Sequence, residues 1–122
     1  MEDRFTNFEL YKQGDFYSSF AKIYCLSCLG DAEAEYIIGE YYELGLGEIT
    51  KSPKEAAEYY TRSILHSKNC PNIKLKAEAG LIRIINSSEN VKSNVNVSIY
   101  ENVKNNLIIS LENKSKIKNK LE

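Results

Sequence analysis

Ala34-x3-Ile38-Gly39-x2-Tyr42-x2-Gly45-x-Gly47, followed by Ala56-x2-Tyr59-Tyr60-x2-Ser63-Ile64, is the stretch that decides the fold. Ala34, Ile37, Ile38, Tyr41 and Tyr42 follow the i, i+3, i+4, i+7, i+8 pattern of one helix face. Gly30-Asp31 opens that helix, with Asp31 placed to cap its first turn. Gly45-Leu46-Gly47 closes it, because glycine readily takes the positive φ at which helices stop. Ser52-Pro53 then starts another helix, since proline fits a first turn whose N–H groups lack helical partners. Ala56, Tyr59, Tyr60, Ser63 and Ile64 form its inward stripe. Joined by a short loop, the two make an antiparallel pair.

The same punctuation recurs on either side. Phe5, Phe8 and Tyr11 are helix-spaced up to Gly14, and Asp15 caps a second helix running to about residue 29. That second helix carries Phe16, Phe20, Ile23, Tyr24 and Cys28, apolar around much of its girth, which predicts deep burial. After Cys70-Pro71-Asn72, a fifth helix passes through Ala77, Leu81, Ile82 and Ile85 and ends near 86–88. A sixth is predicted from about Ser93, with Ile99, Tyr100, Val103, Leu107 and Leu111 on one side. Residues 1–113 are expected to form a single domain, and the lysines of 114–122 a frayed, solvated tail.

The unit at 30–67 resembles the Sel-like repeat, a branch of the tetratricopeptide-like helical repeats. It departs from that pattern at Tyr59, where tryptophan is common, at Ser63-Ile64, where Ala-Ala is common, and at Ser67, where glycine is common. Residues 14–29 look like the second half of a preceding repeat. Ala77-x3-Leu81-Ile82-x2-Ile85 looks like the first half of a following one, with isoleucine in place of the glycine. The resemblance implies an all-α fold, a short α-solenoid of about six antiparallel helices whose degenerate ends act as caps. It also implies a protein-binding scaffold that docks its partner on the concave face, lined by the first helix of each pair, and no catalytic residues.

Composition narrows the class. The chain has 122 residues and is 43% hydrophobic, enough for one domain that buries roughly two-thirds of its unfolded surface. Met-Glu-Asp-Arg-Phe carries acid where a signal peptide has positive charge, and no run approaches the ~18 apolar residues of a membrane span. Three cysteines, an odd count, then predict reduced thiols and a cytoplasmic chain. On that reading the Asn-x-Ser matches at Asn86, Asn96 and Asn113 carry no glycan.

The net charge of −1 hides a polarity, for residues 1–66 hold 12 acids and 6 bases while 67–122 hold 5 acids and 10 bases. Glu33, Tyr36, Glu40 and Glu43 share a stripe of the third helix roughly opposite Ala34, Ile38 and Tyr41. An aromatic group among carboxylates suits a basic partner, because tyrosine supplies buried area and the glutamates meet lysine or arginine. The same stripe is also what an ordinary solvated helix face looks like.

Other chemistries find less support. Cys25-x2-Cys28 with His66-x3-Cys70 has zinc-compatible spacing, but the first pair lies inside a helix. His66 is the single histidine, no nucleophile motif accompanies it, and no glycine-rich loop opens a helix to hold phosphate. No cofactor and no enzymatic activity are expected. Alternating lysines without interleaved aromatics do not make a nucleic-acid footprint. The expected function is therefore binding of a basic protein. One version is a bacterial immunity protein that neutralises a cognate toxin, since nuclease toxins are basic to match an anionic substrate. The alternatives are a general adaptor with several partners and a zinc- or thiol-dependent protein built on Cys25, Cys28, His66 and Cys70.

Overall fold

Three side chains set where helices begin. Asp15 accepts from the Ser18 amide at 3.2 Å, Asp31 from Ala34 at 2.9 Å and Ser52 from Glu55 at 3.2 Å. Each satisfies an N–H group that the first turn leaves without a carbonyl. In a computed structural model, which describes residues 4–87 together with helical backbone at 101 and 105, these caps open three of five helices. The five are α1 (Arg4–Lys12), α2 (Phe16–Cys28), α3 (Ala32–Leu44), α4 (Pro53–His66) and α5 (Pro71–Ser87). Among the described residues there is no strand, and all the regular structure is helical. The predicted sixth helix and the tail at 114–122 lie outside the described residues.

Each helix packs on the next, α3 also touches α5, and α1 reaches α3 through Tyr11, which meets Glu40 and Tyr41. The α3–α4 link turns at Gly45 and Gly47. Gly47 meets two demands, since its φ is +56° and an added Cβ would stand 3.0 Å from the backbone carbonyl of Phe16.

The core falls into two connected groups. Phe8, Ile23, Ala34, Ile37, Ile38, Tyr41 and Tyr59 fill the space among the first four helices. Ala56, Ala57, Tyr60, Ala77, Leu81, Ile84 and Ile85 fill the space between α4 and α5. Tyr36 and Tyr42 pack against both groups. Buried hydroxyls find partners, as burial requires. The Tyr41 hydroxyl donates to the Phe16 carbonyl at 2.6 Å and lies 2.7 Å from Ser19 Oγ. Ser63 Oγ donates to the Ala32 carbonyl at 2.7 Å.

One expectation needs correction. The second helix is not buried around its girth, because Tyr24, Cys25 and Cys28 face outward while Ser19, Ile23 and Ser27 form the buried stripe. The serines tolerate burial because their hydroxyls donate to carbonyls within the same segment, Ser19 to Asp15 and Ser27 to Tyr24. Helices α3 and α5 share a packing feature. Gly80, two positions before Ile82, packs against Tyr60 as Gly39 does. A further correspondence links the two helices: Ala34-Glu35 and Ala77-Glu78 both place a buried carboxylate after a buried alanine.

Candidate functional site

The site grows out of the side-by-side placement of α1, α3 and α5. Between them runs a groove of about 180 Å³. One wall is α1, with buried Phe8, half-buried Tyr11 and exposed Lys12. The floor is α3, with Glu33, Tyr36, Ile37 and Glu40. The far wall is α5, with Ile73 half-buried and Lys76 exposed. Three of the four residues expected on the binding stripe, Glu33, Tyr36 and Glu40, therefore line one groove, whose walls are α1, α3 and α5.

Glu40 is the chemical centre of the groove. Its Oε2 accepts from the Tyr11 hydroxyl at 2.6 Å. Burial pushes the Tyr11 phenol up, and the neighbouring Glu40 carboxylate pushes it further. Tyr36 is raised for the same two reasons, in the same order. Both phenols are thus neutral donors at ordinary pH. The cations that pair near the groove do not pair with Glu40: Lys12 reaches Glu9 at 3.7 Å, and Arg83 reaches Glu43. The groove consequently carries a carboxylate held by phenols and not matched by a cation among the described residues.

Glu43 does a different job. It accepts from the Tyr60 hydroxyl at 2.6 Å and from Arg83 Nε and Nη2 at 3.0 Å each. Burial alone would raise its carboxyl, but the bonds from Arg83 and Tyr60 outweigh it and hold the group below its ordinary range. This residue clamps α3 to α4 and α5. The stripe read from helix spacing thus divides into three groove residues and one tie between helices. Nothing in the spacing distinguishes them, because Arg83 lies 40 positions away in sequence.

The thiol and histidine candidates are scattered. Cys25, Cys28 and Cys70 are all exposed, and no three His, Cys, Asp or Glu side chains stand together as a metal site among the described residues. The zinc set read from spacing is therefore not assembled. His66 instead meets buried Glu35, with Nδ1 at 2.7 Å from Oε1. Sequence reasoning missed that pair, and it missed Tyr11 as a groove residue. The available signal was the helical spacing of Phe8 and Tyr11 on α1, which marked them as core.

Fold and groove together define a helical protein with a tyrosine-lined cleft that carries Glu33 and Glu40 on its floor and Lys12 and Lys76 on its walls. No described helix is long and apolar enough to cross a membrane. Set against known protein families, curated proteins and solved structures, the chain matches none.

Proposed function

We propose that the chain is a non-enzymatic protein-binding module, a short solenoid of the Sel-like repeat kind, which docks a basic partner protein in the groove between α1, α3 and α5. The observation that carries this reading is the convergence of Glu33, Tyr36 and Glu40 with Phe8 and Ile73 in one cleft. Aromatic and apolar walls supply area that is released from water on contact, and the carboxylates favour a basic surface and disfavour an acidic one. The excess of acid in residues 1–66 extends that preference beyond the groove and accelerates encounter at low salt. A single small domain of this charge suits one dedicated basic partner, and an immunity protein that neutralises a toxin is the version we favour over a general adaptor.

The test is affinity capture from extracts of the producing cell. Wild type is run beside a variant carrying Glu33→Lys with Ile73→Lys, and each captured protein is then purified and its Kd measured. Both substitutions lie in the groove and leave Glu40 and Glu43 untouched. One abundant basic partner whose Kd weakens at least tenfold in the variant supports the reading, about 1.4 kcal/mol. If that protein also poisons cells lacking this chain, the inhibitor version stands. Several weak partners would replace it with the adaptor, and equal Kd for both proteins would remove the groove as the docking site.

A further inference from the structure

We infer that Tyr11, Tyr36 and Glu40 form a socket for one arginine side chain of the docked partner. The inference rests on the groove being a docking surface and names the group that it recognises. Size is the first argument. A cleft of about 180 Å³ falls below the ~300–1,000 Å³ that encloses a drug-sized ligand, so it suits a single long side chain.

Charge is the second argument. Glu40 is only partly open to water, and the donors that reach it, Tyr11 and Tyr36, are neutral phenols. A carboxylate presents about four acceptor positions, so these two bonds leave others for an incoming donor. The nearby cations do not fill them. Lys12 stands on Glu9, and Lys76 is exposed on the α5 wall without an ion pair to Glu40 among the described residues. A charge left in that position favours any cation that reaches it while shedding little of its own hydration.

Shape selects among cations. A guanidinium is planar, stacks on aromatic faces and forks toward a carboxylate, and it is more weakly hydrated than an ammonium. Tyr11 and Tyr36 line the cleft beside Glu40 from two different helices, so a cation held by the carboxylate has aromatic side chains next to it. Phe8 and Ile37 offer apolar surface to the methylene stem.

The full chain, labelled with nitrogen-15, is titrated with N-acetyl-arginine-methylamide and, separately, with its citrulline counterpart. Citrulline has nearly the same shape without the charge. The expected result is saturable amide shifts centred on residues 11, 36 and 40 with the arginine probe, and roughly tenfold weaker binding by citrulline. Glu40→Gln, which keeps an acceptor for Tyr11, should abolish the response while leaving the rest of the spectrum folded. Equal response to both probes, a response kept in Glu40→Gln, or no response to arginine overturns the socket. These outcomes leave the docking reading to the capture experiment, whose variant does not alter Glu40.

Discussion

A Cβ added at Gly80 would stand 2.7 Å from Cε2 and Cζ of Tyr60, closer than two such carbons can approach. Gly39 crowds the same ring, where an added Cβ would lie 2.6 Å from Cδ1 and Cε1. Two glycines on α3 and α5 thus admit one fully buried tyrosine from α4, and that ring fixes how near the three helices come. Alanine at either glycine gains about 1 kcal/mol in helix propensity, whereas forcing the ring aside costs about 1–3 kcal/mol. Gly39→Ala and Gly80→Ala should therefore lower stability by up to about 2 kcal/mol in urea denaturation. In a Tyr60→Leu background the penalty should vanish, and an undiminished penalty there would place the clash elsewhere.

The Tyr60 hydroxyl joins this packing to the clamp on Glu43. Tyr60→Phe should lose about 1–3 kcal/mol, the range for a bond to a charged acceptor. Tyr60→Ala should lose about 3–5 kcal/mol as a core truncation. Arg83→Ala should cost under about 1 kcal/mol, because that side chain is 54% exposed and water screens the pair. Charge reversal at Glu43 belongs with the destabilising changes. Thermal melts of the four single variants check this order, and a neutral Tyr60→Phe would break the clamp argument.

Glu48 has φ +69° in the loop after α3, a left-handed conformation that strains a residue bearing a Cβ. Glu48→Gly relieves that strain and should raise stability by about 0.5–1 kcal/mol, despite the greater freedom of glycine in the unfolded chain. Gly47→Ala should lose about 1–2 kcal/mol from its φ alone, with the 3.0 Å approach to Phe16 adding to the loss. Opposite signs at adjacent positions make the pair diagnostic of the turn. Loss of stability in Glu48→Gly would show that the side chain contributes more than the backbone strains.

Burial lifts the buried Glu35 carboxyl above its ordinary 4.5, and His66 and Arg62 pull it only part of the way back. The folded protein then holds that proton more tightly than the unfolded chain does. Its contribution is fully present below 4.5 and is lost as pH rises through the folded value. Glu43 has the opposite sign: its contribution is present above 4.5 and is lost as pH falls through its lowered folded value. Comparing wild type with Glu35→Gln isolates the first effect. The stability difference should move against wild type between pH 4 and pH 7, and a flat difference would mean Glu35 titrates alike in both states.

Much of the fold was legible because its signals are local. Asp15, Asp31 and Ser52 lie next to the turns they cap, and Gly45 and Gly47 lie inside the turn they shape. The inward faces of α3, α4 and α5 follow the 3.6-residue period, and Tyr41, Tyr60 and Leu81 are fully buried as that period requires. The reading of α2 was too generous because period does not report how many neighbours a helix has. Between α1 and α3 only one stripe is covered, so Tyr24 and Cys28 remain outside.

By itself the sequence determined the helical class, the five described helices and the α3 stripe from which the groove is built, since caps, breakers and periodicity act within a few residues. Tertiary structure decided what each stripe residue does. Glu40 and Glu43 are one helical turn apart on one helix and look alike in sequence. Packing gives the first a tyrosine from α1 and an open cleft, and gives the second a tyrosine from α4 and an arginine from α5. The physical reason is that a carboxylate's role follows from the donors that reach it. Those donors stand 29, 17 and 40 positions away, on helices whose approach is set by a tyrosine and two glycines.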